Sequence, residues 1–287
     1  IMSNAARYLI FFQYIGTKYS ISAHSFLYFS VFVQDAIRRL RPLNPASLSV
    51  SSRTDAGVHA LSNSAHFDLQ RKNDKPPFTE DVLVQALNYH LKTEQIRVTH
   101  AHRVSDDFHA RYSAQSRTYI YRIALGLPHY SALPLVDCQL CWNLRNTELD
   151  VEAMREAAAM LVGTHDFSTF RAVNSDMPFK SPVKTLDLSC LCVCMGEFYI
   201  LHQDLTFWEI CLCTFLLKSN RCCPGCLLQV RRMTGALVAV GQRQLSLPQL
   251  REIMEARDSL IYPQGLAAPA YGLFLTRVEY RETGESV

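Results

Sequence analysis

The strongest constraint on how this chain folds is an order of strand-like and helix-like segments that it runs through twice. Residues 7–14 are rich in β-branched and aromatic side chains and read as a strand, and residues 33–40 read as a helix. Residues 48–53 and 65–69 are further strands. Thr79 starts a helix whose Leu83, Ala86 and Leu87 share one face, because side chains three and four apart return to the same side of a helix. Residues 96–104 and 118–125 follow as strands. In the second pass Asp150 caps a helix carrying Val151, Met154, Ala158 and Leu161, and Gly163 stops it. Strands near 184–192 and 207–211, helices over 230–240 and 246–256, and a last strand over 272–280 complete the order. This pattern predicts an α+β chain of two halves, residues 1–125 and 149–287, joined by a connector at 126–148. It does not say how the strands pair.

Composition narrows the class. A hydrophobic fraction of 48% with balanced charges argues against a disordered chain, and 287 residues suffice to bury a full core. No apolar run reaches the roughly 18 residues of a membrane span, so no membrane partner is expected. The opening Ile1-Met2-Ser3 lacks the charged start and cleavage site of a secretory leader. A mitochondrial presequence ahead of Ile1 would not be visible, so the expected location is mitochondrial or cytoplasmic. The net charge of +3 is weakly basic. A nucleic-acid partner would therefore need local charge. The candidates are Arg38, Arg39 and Arg41, then Arg71, Lys72 and Lys75, then Arg231 and Arg232, each of which also reads as an ordinary solvated face. Ten scattered cysteines do not resemble a secreted disulfide framework. Cys138 and Cys141 together with Cys223 and Cys226 have the spacing of a four-thiolate zinc site, but the pairs lie far apart in the chain. No resident metal is expected.

One run stands out from this background: Ser51-Ser52-Arg53-Thr54-Asp55-Ala56-Gly57-Val58-His59-Ala60. A period-two strand leads into Arg53, and Gly57 can take the positive φ that lets the chain fold back and leave the Asp55 carboxylate at the strand tip. An acid held there beside Arg53 would have its ionised form favoured by the cation and by turn amides. Asp-x-Gly turns are also common structural devices. On spacing alone that reading of Asp55 stands beside the chemical one.

The run S-x-R-T-D-A-G-V-H-A resembles the signature of the TruA family of tRNA pseudouridine synthases. Further segments resemble the family in the same order: Ala86-Leu87-Asn88, Asp107-Phe108-His109-Ala110-Arg111-Tyr112-Ser113-Ala114, Arg117-Thr118-Tyr119-Ile120-Tyr121, Gly163-Thr164-His165-Asp166-Phe167, Val230-Arg231-Arg232-Met233-Thr234-Gly235 and Ala268-Pro269-Ala270-Tyr271-Gly272-Leu273. The resemblance implies two α/β halves around an extended, mainly antiparallel sheet with a central RNA-binding cleft. It also implies a homodimer, a tRNA substrate modified in the anticodon stem-loop, and no cofactor.

It implies site residues as well. Asp55 would be the catalytic carboxylate, Arg231 its cationic partner, and Tyr119 the ring that stacks on the target base and relays a proton at C5. Arg53 and Arg111 would contact the substrate, and Leu273 would wall the uracil pocket. Read from the residues alone, Tyr119 and Tyr121 are one core face of a strand, Leu273 a core leucine, and Arg231 a surface arginine in the first turn of the helix over 230–240. There its charge opposes the helix dipole and calls for an anion. His59, His109 and His165 read as structural hydrogen-bonders. Two segments depart from the family pattern, the apolar stretch 20–32 and the cysteine-rich stretch 211–228, whose abrupt edges read as foreign to the fold. If they displace Arg231, the alternative is an RNA-binding relative with weak or no catalysis. A zinc-binding interaction protein is a further one.

Overall fold

A computed structural model describes residues 5–19, 28–73, 75–125, 135, 137–144, 148–171, 182–196, 208–218 and 226–281. Described residues up to Arg117 and from Leu275 onward form one compact unit, and those from Thr118 to Phe274 form a second. Secondary structure is mixed α/β, as the segment order predicts, with mainly antiparallel strand pairing, as the family resemblance implies.

In the first unit β1 (Ala5–Tyr14) is followed by α1 (Tyr28–Arg39), β2 (Ser49–Val50), β3 (His59–Gln70), α2 (Glu80–His90) and β4 (Ile96–Val104). β1 pairs antiparallel with both β3 and β4, so Leu9 faces His66 on one side and His102 on the other. Tyr8, Ile10, Phe12 and Tyr14 recur every second residue and are buried, as a strand with one face on a core requires. Tyr14 stacks on Phe29 of α1 with ring centroids 4.4 Å apart and planes at 11°. Val33 and Ile37 of α1 and Leu83 and Leu87 of α2 complete this core. At the end of α2 the Asn88 amide pairs with both backbone groups of Val98, donating to its carbonyl at 2.8 Å and accepting from its amide at 2.9 Å. That bond set fastens the helix to β4.

The second unit contains most of β5 (Ala114–Leu125), then β6 (Trp142–Asn143), α3 (Val151–Leu161), β7 (Gly163–Asp166), β8 (Val183–Gly196), β9 (Trp208–Lys218), α4 (Cys226–Gly241) and α5 (Leu247–Ala256). β10 (Leu273–Tyr280) begins here and passes into the first unit. β8 lies between β7 and β9, with Leu186 opposite both Gly163 and Leu217. Asp150 caps α3 by accepting from the Ala153 amide at 3.1 Å. Ser246 and Gln249 form a reciprocal capping box at the start of α5. Gly235 lets α4 touch the backbone near Leu266: a Cβ there would sit 1.6 Å from the Leu266 carbonyl oxygen.

Four boundaries differ from the sequence expectation. The strand expected over 48–53 shrinks to two residues, because the ladder ends with the bond of the Ser51 amide to Ser64, and the Ser51 and Ser52 side chains turn inward to hydrogen-bond. β3 starts at His59, not at 65, since Asn63 and Ser64 occupy buried positions and break the apolar alternation. α1 begins at Tyr28, where a mostly apolar, uncharged stretch hides the helical repeat of Phe29, Val33 and Ile37. Most informative is the cysteine-rich stretch: its residues 211–218 complete β9 against β8, and 226–228 open α4. Those parts belong to the fold. Residues 20–27 and 219–225 lie outside the described residues.

Candidate active site

Asp55 sits on a turn that is held from both ends. The Ser51 amide makes the last ladder bond, to the Ser64 carbonyl at 2.8 Å. The chain then reverses through Gly57, whose φ is +85°, a conformation costing other residues about 1–2 kcal/mol. The Val58 amide closes the turn on the Asp55 carbonyl at 3.1 Å. Arg53 and Ala56 are exposed and Asp55 is half-buried, so the tip meets solvent while its flanks do not.

The flanks carry a buried polar network. Before the tip, the Thr54 hydroxyl bonds the Tyr14 hydroxyl at 2.7 Å. After it, His59 Nδ1 accepts from the Gly16 amide at 3.0 Å. Gly16 has to be glycine for this approach, because a Cβ there would lie 1.9 Å from the Val58 carbonyl oxygen. Asn63, fully buried, is the hub: it donates to the Ser52 carbonyl at 3.0 Å and to the Tyr14 hydroxyl at 3.3 Å, and accepts from Ser51 Oγ at 3.0 Å and the Ser64 amide at 2.8 Å. Arg117, only 3% exposed, donates through Nε to Ser52 Oγ at 2.8 Å and through Nη2 to the Ser51 carbonyl at 3.3 Å. Burial pushes the Tyr14 hydroxyl well above its usual pKa, against the bonds from Thr54 and Asn63, so it stays protonated. These groups fix the backbone on both sides of Asp55. None of Tyr14, Asn63 and Arg117 is expected from the sequence as a site residue, although Arg117 opens the motif that carries Tyr119. For Asn63 the signal is polarity at an inward position of a strand.

A second fixed loop of the same unit carries Arg111. His109 Nδ1 accepts from the Arg111 amide at 3.2 Å, and His66 Nδ1 accepts from the Ala110 amide at 3.1 Å. Burial first, then the proximity of the His109 and Arg7 side chains, pulls the His66 pKa down to about 4, so the ring is neutral near pH 7.

The remaining candidates, Tyr119, Arg231 and Leu273, lie in the second unit. Tyr119 and Tyr121 are both buried on β5. Tyr121 donates to the Pro269 carbonyl at 2.7 Å and packs over Gly272, where a Cβ would lie 2.6 Å from its ring, so it is a packing residue. Leu273 is fully buried. Arg231 is half-buried and tied to Ala268 twice: its Nε donates to the carbonyl at 2.7 Å, and its own carbonyl accepts from the Ala268 amide at 3.0 Å. Because α4 starts at Cys226, Arg231 falls in the second turn. The expected conflict with the helix dipole is therefore corrected, since that effect fades beyond the first turn.

At least one arginine of each expected basic cluster is committed elsewhere. Arg232 donates to the Thr169 and Arg171 carbonyls and lies over the Tyr262 ring at 4.7 Å. Arg71 covers Phe78 at 4.0 Å, and Arg38 pairs with Asp35 at 3.0 Å. His59, His109 and His165 each hydrogen-bond backbone groups, as expected. Cys138 and Cys141 are thiols and not halves of a disulfide, and no metal-holding group of three or more His, Cys, Asp or Glu occurs among the described residues. Cys223 lies outside them. No helix among the described residues is long and apolar enough to cross a membrane.

Comparison with known proteins agrees with this arrangement of motifs. Residues 157–281 match the profile of a family described as tRNA pseudouridine synthase. The chain is 46% identical to "tRNA pseudouridine synthase-like 1" of Xenopus laevis over 98% of its own length and 93% of that protein's. It is 44% identical to the protein of the same name from Homo sapiens, covering 97% and 91% of the two chains. With "tRNA pseudouridine synthase A" of Paramagnetospirillum magneticum it shares 36% identity, over 97% of this chain and 96% of the other.

Proposed function

We propose that this chain, which belongs to the TruA-type tRNA pseudouridine synthase family, isomerises uridine to pseudouridine in the anticodon stem-loop of tRNA, with Asp55 as the catalytic carboxylate. The reaction breaks the N1–C1′ bond, turns the base, forms a C5–C1′ bond and moves the C5 proton to N1. Atoms and electrons balance within the uridine. The chemistry needs a positioned carboxylate, a cation to keep it ionised, an aromatic surface for the base and a path for one proton.

The observation that carries this reading is the turn at Asp55, whose tip meets solvent while Thr54, Gly57 and His59 fix its backbone. A pre-set carboxylate spares the transition state the cost of ordering it. Tyr119 takes the role of base platform and proton relay, and Arg231, held to Ala268, that of cationic partner. Arg53 and Arg111 take phosphate or ribose contacts, and Leu273 a wall of the uracil pocket. That residues 211–218 belong to β9, and that the helix bearing Arg231 runs from Cys226 onward, supports catalysis over the binding-only alternative.

Carbodiimide labelling of pseudouridine, followed by primer extension on treated tRNA, tests this. The wild-type chain is expected to produce a stop in the anticodon arm and Asp55→Asn none, although the variant still binds tRNA. Equal stops from both would remove Asp55 from the chemistry. Binding without a stop from either would establish the binding-only reading instead.

A further inference from the structure

The loop that precedes β5 combines two properties that surface loops seldom share. Every backbone amide from Phe108 to Ser113 is committed: the Phe108 amide donates to the Ser105 carbonyl, His109 to Ser113 Oγ, Ala110 to His66 Nδ1, Arg111 to His109 Nδ1, and Tyr112 and Ser113 both to the His109 carbonyl, all within 2.8–3.2 Å. Arg7 holds the Asp106 and Phe108 carbonyls from β1 and is itself clamped by Asp68 at 2.7 and 2.9 Å. Yet from this rigid frame the Tyr112 side chain projects into solvent, 62% exposed. One face of its ring is backed by His109, with centroids 4.3 Å apart and planes at 37°. His109 rests in turn on His66 at 4.6 Å.

A surface tyrosine with no role would not need a two-histidine backing or a run of six satisfied amides, Phe108 to Ser113, around it. Both rings behind it have pKa values lowered by burial. The stack is therefore neutral near pH 7 and suits a nucleobase better than a phosphate. The platform is also joined to the Asp55 turn inside one unit. The Ala110 carbonyl accepts from the Tyr280 hydroxyl at 2.9 Å, Tyr280 meets Ser64 Oγ at 2.6 Å, and Ser64 Oγ bonds Ser51 Oγ at 2.9 Å, four residues before Asp55. A base on Tyr112 would be held at a fixed place relative to the carboxylate.

We infer that Tyr112, backed by His109, is a stacking platform for an unpaired base of the tRNA other than the isomerised uridine, with Arg111 beside it for the adjoining phosphate. The inference rests on the tRNA substrate proposed above. It concerns binding and not chemistry, so the two fail separately.

Equilibrium binding of unmodified tRNA by Tyr112→Ala, Tyr112→Phe and Tyr112→Trp tests it, with thermal melting of each variant to confirm folding. Loss of one stacked base weakens nucleic-acid binding by roughly tenfold. Tyr112→Ala is expected to raise Kd by about that factor with the slope of log Kd against log salt unchanged, whereas Arg111→Ala flattens the slope by about one contact. Tyr112→Phe and Tyr112→Trp are expected to bind as wild type, and the introduced indole to be quenched by tRNA. Wild-type affinity in a folded Tyr112→Ala, or indole fluorescence in Tyr112→Trp that tRNA leaves unquenched, overturns the platform. Kd values ordered as expected in a chain that makes no pseudouridine leave the platform standing and remove only the catalytic reading. A wild-type chain that binds no tRNA removes both.

Discussion

Replacing Tyr14 by Phe isolates the contribution of the network behind Asp55. The ring keeps its stack on Phe29 at 4.4 Å, so the substitution deletes a single oxygen. That oxygen bonds Thr54 Oγ1 at 2.7 Å and accepts from Asn63 Nδ2 at 3.3 Å. The first bond is short and enclosed, since Thr54 is only 6% exposed; the second is long and contributes less. A neutral buried hydrogen bond contributes about 1 kcal/mol net, and leaving a partner unsatisfied adds about 1–2 kcal/mol. The variant is therefore expected to lose about 1–3 kcal/mol in urea unfolding and to remain folded, given a domain stability of about 5–15 kcal/mol. Its Asp55 turn loses the anchor on the Thr54 side. A small misplacement of a catalytic group costs up to about a hundredfold in rate, and a roughly tenfold fall in kcat with KM unchanged is expected. Combining Tyr14→Phe with Thr54→Val should show a coupling of about 1 kcal/mol, as contacting residues do. Strict additivity of the two, or wild-type stability and turnover in Tyr14→Phe, would refute the claim that this network positions the turn.

Two other perturbations bear on the same architecture. Gly16→Ala puts a Cβ 1.9 Å from the Val58 carbonyl oxygen, an atom of backbone that can yield only by moving the chain after Asp55. A loss of about 1–3 kcal/mol is expected in thermal melting, with a lower kcat. The pH response of stability reports on His66, whose folded-state pKa of about 4 lies below its ordinary 6.5. Between those values the unfolded chain binds more protons than the folded one, so stability rises with pH. The contribution is complete above about pH 6.5 and is lost as pH falls toward 4. His66→Asn should flatten that part of the urea-unfolding profile, and an unchanged profile would contradict the burial of a neutral imidazole.

The first strand was legible in the sequence because β-branched and aromatic residues crowd it, and its buried face, Tyr8, Ile10, Phe12 and Tyr14, follows from the pleat. The first half of β3 was not. There His59, Asn63 and Ser64 occupy core positions to serve hydrogen bonds, and polarity at a buried site reads as loop. The starts of α1 and α4 were hidden for the opposite reason: mostly apolar stretches leave no period to detect. The turn at Asp55 was visible from Gly57, but the groups that hold it come from far along the chain. Tyr14 lies 40 positions from Thr54, Gly16 lies 43 from His59, and Arg117 lies 65 from Ser52. No local pattern encodes such partners. Arg231 shows the converse error: its motif was recognisable, while the dipole argument depended on a helix start misplaced by one turn.

The account turns on the Asp55 carboxylate, and the most direct measurement is tritium release from tRNA carrying 5-tritiated uridine, since every pseudouridine formed frees the hydrogen at C5. The wild-type chain is predicted to release tritium, and Asp55→Asn, which keeps the shape of the turn and loses the charge, to release none above background while still binding the tRNA. Equal release from the two proteins would contradict the account.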